Sequence, residues 1–472
     1  MLLASVRTQV GYWDTADLQT VAWIAGIPYP TGFPGYVLLG WLWTHALPIG
    51  SAAARLNALS AVAIASAAAI VTWLALLFET IPAIAVLAGW LFAFSEVVWF
   101  RGTYADVHPV GFAVAFVAVA LAVRWSLRGE TRDLGTAIVL AGAAVAVDNT
   151  TTLILVGAVV ASLGRRWPVR VALRSCAAAV LIVAAAYAYL PARSAYVTAH
   201  RIDPTLSLGI APGRPFWDDH HPATPARLRW VVTGADWNPD RTVQRLFAPP
   251  QLERAVQRFG DELADDEPQG LLFAALFGLC VVFARARLAA TGLLLAAIVP
   301  ALFGASYPVE ADPERYAFML YAVTALGIAV AADRTIRAFG RERPGLALAV
   351  VGGALALAVV RDLARGQPLF QVRGSDEALA FTQRVVKDTR DGAIIVAPWN
   401  TATALGYRAY VDHALGRRIV VCGDREDFSK LYRGWMRQHQ LVFVAEREPR
   451  LPGYRSRLIS DGSPQVFEIL PR

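Results

Sequence analysis

The stretch from Tyr12 to Tyr36 reads YWDTADLQTVAWIAGIPYPTGFPGY. Asp14 and Asp17 stand three residues apart, and Pro28, Pro30, Gly32, Pro34 and Gly35 follow in a compact run. Each proline removes a backbone donor and fixes φ, so the run is no regular helix. It reads as a rigid, aromatic-rich loop presenting Tyr29, Phe33 and Tyr36. Most of the chain beyond Tyr36 is apolar enough for a membrane, which puts this loop at a bilayer surface. An acidic loop braced by prolines there points to a site. A helix N-cap followed by a turn is the plainer reading, and these residues alone weigh the two equally.

Composition makes the membrane the main environment. Of 472 residues, 56% are hydrophobic and 17% charged, with a mean hydropathy of +0.44. That excludes a purely soluble chain and leaves room for one soluble domain. The net charge of +7 is carried by arginine, since Lys387 and Lys430 are the only lysines. Cys176, Cys280 and Cys422 have no metal-ligand spacing, so neither a disulfide framework nor a zinc site is implied. No cleavable signal precedes Asp14.

A spanning helix takes roughly 20 apolar residues. Such segments lie at 54–78, 81–99, 108–127, 134–148, 150–163, 172–190, 270–284, 288–305, 316–332 and 345–360. Gly35 to Leu47 is too short and Trp-rich, and reads as an interfacial or re-entrant helix. Asp148-Asn149 divides what would otherwise be one long apolar run. The expected fold is an all-α polytopic membrane protein of about ten spans with a small soluble α/β domain at the C-terminus.

Arginines sort the connections. Arg124, Arg128, Arg132, Arg165, Arg166, Arg170, Arg174, Arg285, Arg287, Arg334, Arg337, Arg341 and Arg343 alternate with connections that carry the acidic motifs. The positive-inside rule makes the arginine-rich set cytoplasmic. These arginines therefore signal topology and not a nucleic-acid footprint. Asp14, Asp17, Asp106, segment 191–269, Glu310 to Arg315 and the C-terminus then share the outer face. Residues 1–13 cannot span a bilayer, so either the N-terminus is translocated without a helix or a first span precedes Met1, and the second is the expectation. The domains read as 1–364, with outer loops 1–53 and 191–269, and 365–472. In the latter, strand-like Ala393–Ala397, Arg418–Cys422 and Leu441–Ala445 alternate with helical Asp376–Lys387, Thr401–Leu415 and Glu426–Gln438, and Val466–Leu470 is a candidate last strand. That order argues a parallel sheet. No Gly-rich phosphate motif marks it.

Five polar groups fall on the expected outer face: Asp14 with Asp17; Tyr104, Asp106 and His108; Asp148-Asn149 with Thr150 to Thr152; Arg193 with Trp217, Asp218, Asp219, His220 and His221; and Glu310 to Tyr316. A membrane-edge carboxylate can serve as general base for an acceptor hydroxyl. An interfacial arginine can grip a lipid phosphate bidentately. Acid plus arginine at the outer leaflet fits group transfer from a phosphorylated lipid. The plainer alternatives are that Asp106 and His108 cap a helix and that Arg315 only pairs with Asp312 or Glu314. His220-His221 is a weak metal signal without a second spaced pair, and a solvated loop is preferred. Asn149 carries a functional reading, because polar groups within the membrane are costly.

Tyr12-Trp-Asp14-Thr-Ala-Asp17, Gly26-Ile-Pro-Tyr-Pro30-Thr-Gly32-Phe-Pro34 and Arg55-Leu-Asn57-Ala-Leu-Ser60-Ala61 resemble a family of GT-C-type membrane glycosyltransferases that includes the eukaryotic transmembrane protein O-mannosyltransferase. Tyr104 to His108, Asn149 to Thr152, Leu190 to Arg193, Trp217-Asp218, Val232 to Trp237 and Asp312 to Tyr316 are similar to further motifs of that family. The resemblance covers about residues 1–335 and is most specific at 12–61. Asp17 replaces the usual glutamate, Tyr29 the family histidine and Thr150 a polar histidine beside Asn149.

The resemblance implies an integral membrane glycosyltransferase with an outer-face site. It implies transfer of a hexose, with mannose foremost, from a polyprenyl-phosphate carrier to a protein or glycan acceptor. Asp14 is the implied base and Asp106 the second acid, with Asp17 beside them. Arg193 or Arg315 is the implied phosphate ligand. Tyr29, Phe33, His108, Asn149, Trp217 and Asp218 complete the expected pocket. No cofactor is firmly implied and metal dependence stays open. The expected location is the plasma membrane, read as a bacterial inner membrane, with 365–472 outside the cytoplasm. The alternatives are a non-catalytic scaffold or glycolipid-binding protein of the same fold, and a transporter. Against a transporter stand the lack of repeat symmetry and the gathering of the acids at one face.

Overall fold

The computed structural model describes residues 1–235, 248–306, 312–423 and 428–472. Trp237, Glu310 and the start of the expected helix at Glu426 lie outside the described residues.

The opening acids stand on a helix, not on a loop: α1 spans Trp13–Ile24. The proline run comes next, and Pro34 at the first position starts α2 (Pro34–Ala46). Helices then occupy all ten apolar segments. They are α3 (Ala52–Leu77), α4 (Pro82–Phe94), α5 (Val107–Arg128), α6 (Thr131–Val147), α7 (Thr152–Ser162) and α8 (Val169–Ala199). After α9 (Pro225–Thr233) and α10 (Pro249–Asp266) come α11 (Gln269–Arg285), α12 (Arg287–Gly304), α13 (Phe318–Phe339) and α14 (Pro344–Arg365). Among the described residues six runs can cross a membrane by length and composition: α3, α5, α8, α12, α13 and the run opening at Pro344. The pair α10 and α11 bends by 115° and counts as a seventh if taken as one span. Others of the expected ten are shorter: α4 has 13 residues and α7 has 11.

Small residues set the closest helix contacts. A Cβ on Gly157 of α7 would lie 2.2 Å from the Gly292 carbonyl oxygen of α12, and one on Gly278 of α11 1.9 Å from that of Gly327 on α13. Backbones this close exclude any larger side chain, as between helices in lipid. The arginine-rich ends also meet. Arg285 lies 3.9 Å from Glu79, and Arg337 donates to the Glu79 carbonyl and to Asp333. Asp148 ends α6 in extended backbone and caps the turn Asn149–Thr151, so the long apolar run is two helices.

Beyond α14 lie α15 (Glu377–Asp388), β1 (Ile394–Ala397), α16 (Trp399–Tyr410), β2 (Ile419–Cys422), β3 (Leu441–Ala445), β4 (Tyr454–Ser460) and β5 (Gln465–Pro471). The sheet order is β2-β1-β3-β5-β4. β1 pairs in parallel with β2 and β3, whereas β5 is antiparallel to both β3 and β4. The expected all-parallel sheet is therefore mixed. β4 escaped the sequence reading because its exposed Arg455 and Arg457 break the apolar pattern. Charged residues of this kind protect an edge strand from further pairing. The expected helix to Gln438 is reduced to Tyr432–Trp435 among the described residues.

Candidate active site

The Arg55 to Ala61 motif builds the floor of the site. Asn57 is fully buried on α3 and holds three segments together. Its Oδ1 accepts from Gln19 Nε2 at 2.8 Å and from the Ala105 amide at 2.7 Å. Its Nδ2 donates to the Arg7 carbonyl at 2.8 Å. Gln19 in turn accepts the Gly11 amide. One turn on, Ser60 Oγ accepts the Asp106 amide at 3.2 Å. Arg55 donates to the carbonyls of Thr44 and Gly50 and ties α2 to α3. The motif thus fixes the entry into α1 and the loop before α5, on which Asp14 and Asp106 sit. Trp13, just before Asp14, has φ 55, a left-handed conformation that non-glycine residues adopt at a cost and mostly where function requires it.

A large cavity of about 1490 Å³ opens above this floor. Asp14 and Asp106 line it together with Arg7, Arg101, Tyr104, His108, Asp312 and Arg315. Arg315 lies 3.8 Å from Asp14 and 3.6 Å from Asp312. Its Nη1 is 3.4 Å from His108 Nε2. His108 Nδ1 is 2.9 Å from the buried Asp148 Oδ2. Arg101 donates to Tyr104 Oη at 2.6 Å and reaches Asp312 at 3.3 Å, Glu314 at 3.5 Å and Asp106 at 3.9 Å. Asp312 is over half exposed and bridges Arg101 and Arg315.

The three acids have different surroundings. Burial alone would raise the Asp106 carboxyl, but His108, Arg315 and Arg101 together hold it below the usual range, helped by the His108 amide it caps. Asp106 is therefore a fixed negative charge. Asp17 is fully buried behind the cavity wall, where no side chain hydrogen-bonds to it. Burial, and then Asp219 and Asp14, push its carboxyl well above the usual value. Asp14 is the accessible one, with 39% of its side chain exposed.

The C-terminal domain closes the other side. Trp399, Cys422 and Gly423, at the carboxyl ends of β1 and β2, line the cavity, the edge of a parallel sheet that most often meets ligands. Trp399 Nε1 donates to Asp14 Oδ1 at 3.1 Å. Its ring stands edge-on to Tyr29 at 5.9 Å, and Tyr29 is edge-on to Phe33 at 5.4 Å.

Of the residues singled out from sequence, Asp14, Asp106, Tyr29, Phe33, His108, Asn149 and Arg315 line the cavity. Thr31 donates to Asn149 Oδ1, and Asn149 donates to the Val232 carbonyl, so Asn149 ties the proline run to α9. Asp17, Arg193, Trp217 and Asp218 are not brought to it. Arg193 donates to the Ile24 carbonyl at the end of α1 and lies over Tyr196 and Trp217. Trp217 packs on Tyr410. Asp218 is buried against His221 at 2.6 Å. The expected solvated loop at His220-His221 is instead partly buried, with His220 Nδ1 2.7 Å from Asp219. The sequence reading passed over Arg7, Arg101 and Trp399 as site residues. Arg101 closes an apolar segment and stands outside both the arginine-rich connections and the Tyr104 to His108 motif. The contact of Trp399 spans 385 residues, for which one sequence holds no signal. Among the described residues no cluster of three or more metal-ligating side chains occurs.

Residues 14–170 match the model of the protein O-mannosyl-transferase TMEM260 N-terminal domain. No curated protein matches the chain. Among solved structures, ArnT from Cupriavidus metallidurans in the apo state superposes with a TM-score of 0.57 at 11% identity, over 99% of this chain and 95% of that one. The same protein bound to undecaprenyl phosphate gives 0.60 at 11% identity over the same shares. The chain is thus an integral membrane protein that shares the fold of ArnT, with an O-mannosyl-transferase sequence match over residues 14–170.

Proposed function

We propose that this protein transfers a hexose, mannose foremost, from a polyprenyl-phosphate carrier to a hydroxyl of a protein or glycan acceptor on the outer face of the membrane. The observation that carries the reading is the pairing, in one cavity, of an accessible carboxylate with two arginines. Asp14 Oδ2 stands 3.8 Å from Arg315, and Arg101 shares Asp312 with Arg315. The O-mannosyl-transferase match over residues 14–170, which hold Asp14 and Arg101, and the undecaprenyl phosphate bound by ArnT support the substrate class.

The charges set the chemistry. The acceptor hydroxyl oxygen bonds to the anomeric carbon as the bond from that carbon to the carrier phosphate breaks. The hydroxyl proton passes to Asp14. The leaving phosphate gains negative charge, which Arg315 and Arg101 neutralise in place. Asp312 occupies the arginines until the phosphate arrives. Asp106, held deprotonated, keeps both guanidiniums oriented toward the cavity. The fold and the positive-inside pattern support an outer-face site with 365–472 on the same side.

The test is transfer of label from polyprenyl-phosphate mannose to an acceptor extract by wild type and Asp14→Asn. General-base loss costs roughly 10²- to 10⁴-fold. Equal transfer by both proteins overturns the assignment of Asp14.

A further inference from the structure

We propose that Trp399 is a positioning residue for the base, so that the transferase site is a composite of two domains. The inference rests on the reading of Asp14 as base.

An indole N–H is a donor only, and Trp399 spends it on Asp14 Oδ1 at 3.1 Å. The other oxygen, Oδ2, faces Arg315 at 3.8 Å, beyond hydrogen-bond reach. One oxygen is held by the C-terminal domain and the other keeps lone pairs for an acceptor hydroxyl. A carboxylate on the exposed first turn of a helix otherwise samples several rotamers. The indole removes that freedom without adding a charge that would weaken the base.

Trp399 can do this because its own place is fixed. It is the first residue of α16, directly after Pro398 and the fully buried central strand β1. α16 docks on the membrane part through a small core of Ala16, Ala52 and Ala53 with Ala378, Ala404 and Tyr407. Tyr407 Oη accepts the buried Ala53 amide at 3.1 Å. Phe216 covers Gly406, where a Cβ would meet its ring at 2.3 Å. The Tyr29 ring, edge-on at 5.9 Å, closes the remaining side of the indole.

The test uses the full chain in detergent as wild type, Trp399→Phe, Asp14→Ala and the double variant. Alanine is chosen at 14 because asparagine would still accept the indole N–H. With polyprenyl-phosphate mannose as donor, Trp399→Phe lowers kcat about 10- to 100-fold and leaves the donor KM within about twofold. In the Asp14→Ala background the same change lowers kcat no further. The four proteins melted without substrate give the coupling independently of activity. The loss in melting temperature from Trp399→Phe is at least halved once Asp14 is alanine. Wild-type kcat in Trp399→Phe, or additive melting shifts, overturns the proposal. If Asp14→Ala transfers at the wild-type rate, the base reading itself falls and takes the catalytic role of Trp399 with it. The melting cycle then still decides whether the two residues are coupled.

Discussion

Asn57→Ala is the most informative change outside the acids, because Asn57 touches neither proton nor phosphate in the proposed reaction. It removes three hydrogen bonds of 2.7 to 2.8 Å, two buried ones from Gln19 and Ala105 and a partly buried one to Arg7. A net hydrogen bond contributes about 1 kcal/mol, and an orphaned buried partner costs about 1–3 kcal/mol. Asn57 also lines the cavity, so water can reach part of the gap, and the lower figure applies. The expected loss is about 3 kcal/mol. An unfolding entropy near 2.1 cal/mol/K per residue makes this roughly 3 °C in melting temperature for a chain this size. The functional loss is larger in proportion. Ala105 carries Asp106, and an error of about 1 Å in a catalytic geometry costs about 10²-fold in rate. Ser60→Ala, which removes two longer bonds, from the Asp106 amide at 3.2 Å and to the Asp106 carbonyl at 3.4 Å, falls between wild type and Asn57→Ala on both scales. The assay is a thermal melt in detergent beside sugar transfer from polyprenyl-phosphate mannose. An Asn57→Ala protein that melts within 1 °C of wild type (about 1 kcal/mol on the same scale) and transfers at the wild-type rate refutes the account of this motif as the site's floor.

Asp312→Asn frees Arg101 and Arg315 of their shared exposed partner, so affinity for polyprenyl phosphate rises about threefold to tenfold at low salt, read by equilibrium binding, and the gain shrinks as salt screens the arginines. Asp148→Asn removes the carboxylate that holds His108 Nδ1 and releases the imidazole from Arg315; binding of polyprenyl phosphate weakens about tenfold, whereas a purely structural role would lower the melting temperature and leave affinity intact. Asp17, raised well above its ordinary 3.8, binds its proton more tightly folded than unfolded, so its contribution to stability falls as pH climbs from about 4 toward the folded value. Asp17→Asn therefore flattens the fall in melting temperature between pH 5 and 8 and leaves the protein at least as stable as wild type at pH 8; an unchanged slope counts against a buried, protonated Asp17.

The membrane part was legible from local properties. Ten apolar segments, a soluble tail and arginine-bearing connections need only composition and spacing, because lipid demands apolar faces on every spanning helix. Helix ends were legible for the same local reason: Asp148 both interrupts an apolar run and caps the next turn. Asp14, Asp106 and Arg315 stood out as charges beside membrane segments, where a charge needs a reason. Burial was not legible. Only the resemblance ranked Asp14 ahead of Asp17; in the fold one lines the cavity and the other is buried behind its wall. Nor could Arg193 and Arg315 be told apart until one met a helix carbonyl and the other met Asp14 and His108. The indole of Trp399 reaches Asp14 only because a buried strand and a docked helix carry it there. Sequence by itself determined which residues must avoid lipid; tertiary structure alone decided which of them face one another, since that depends on packing between segments hundreds of residues apart.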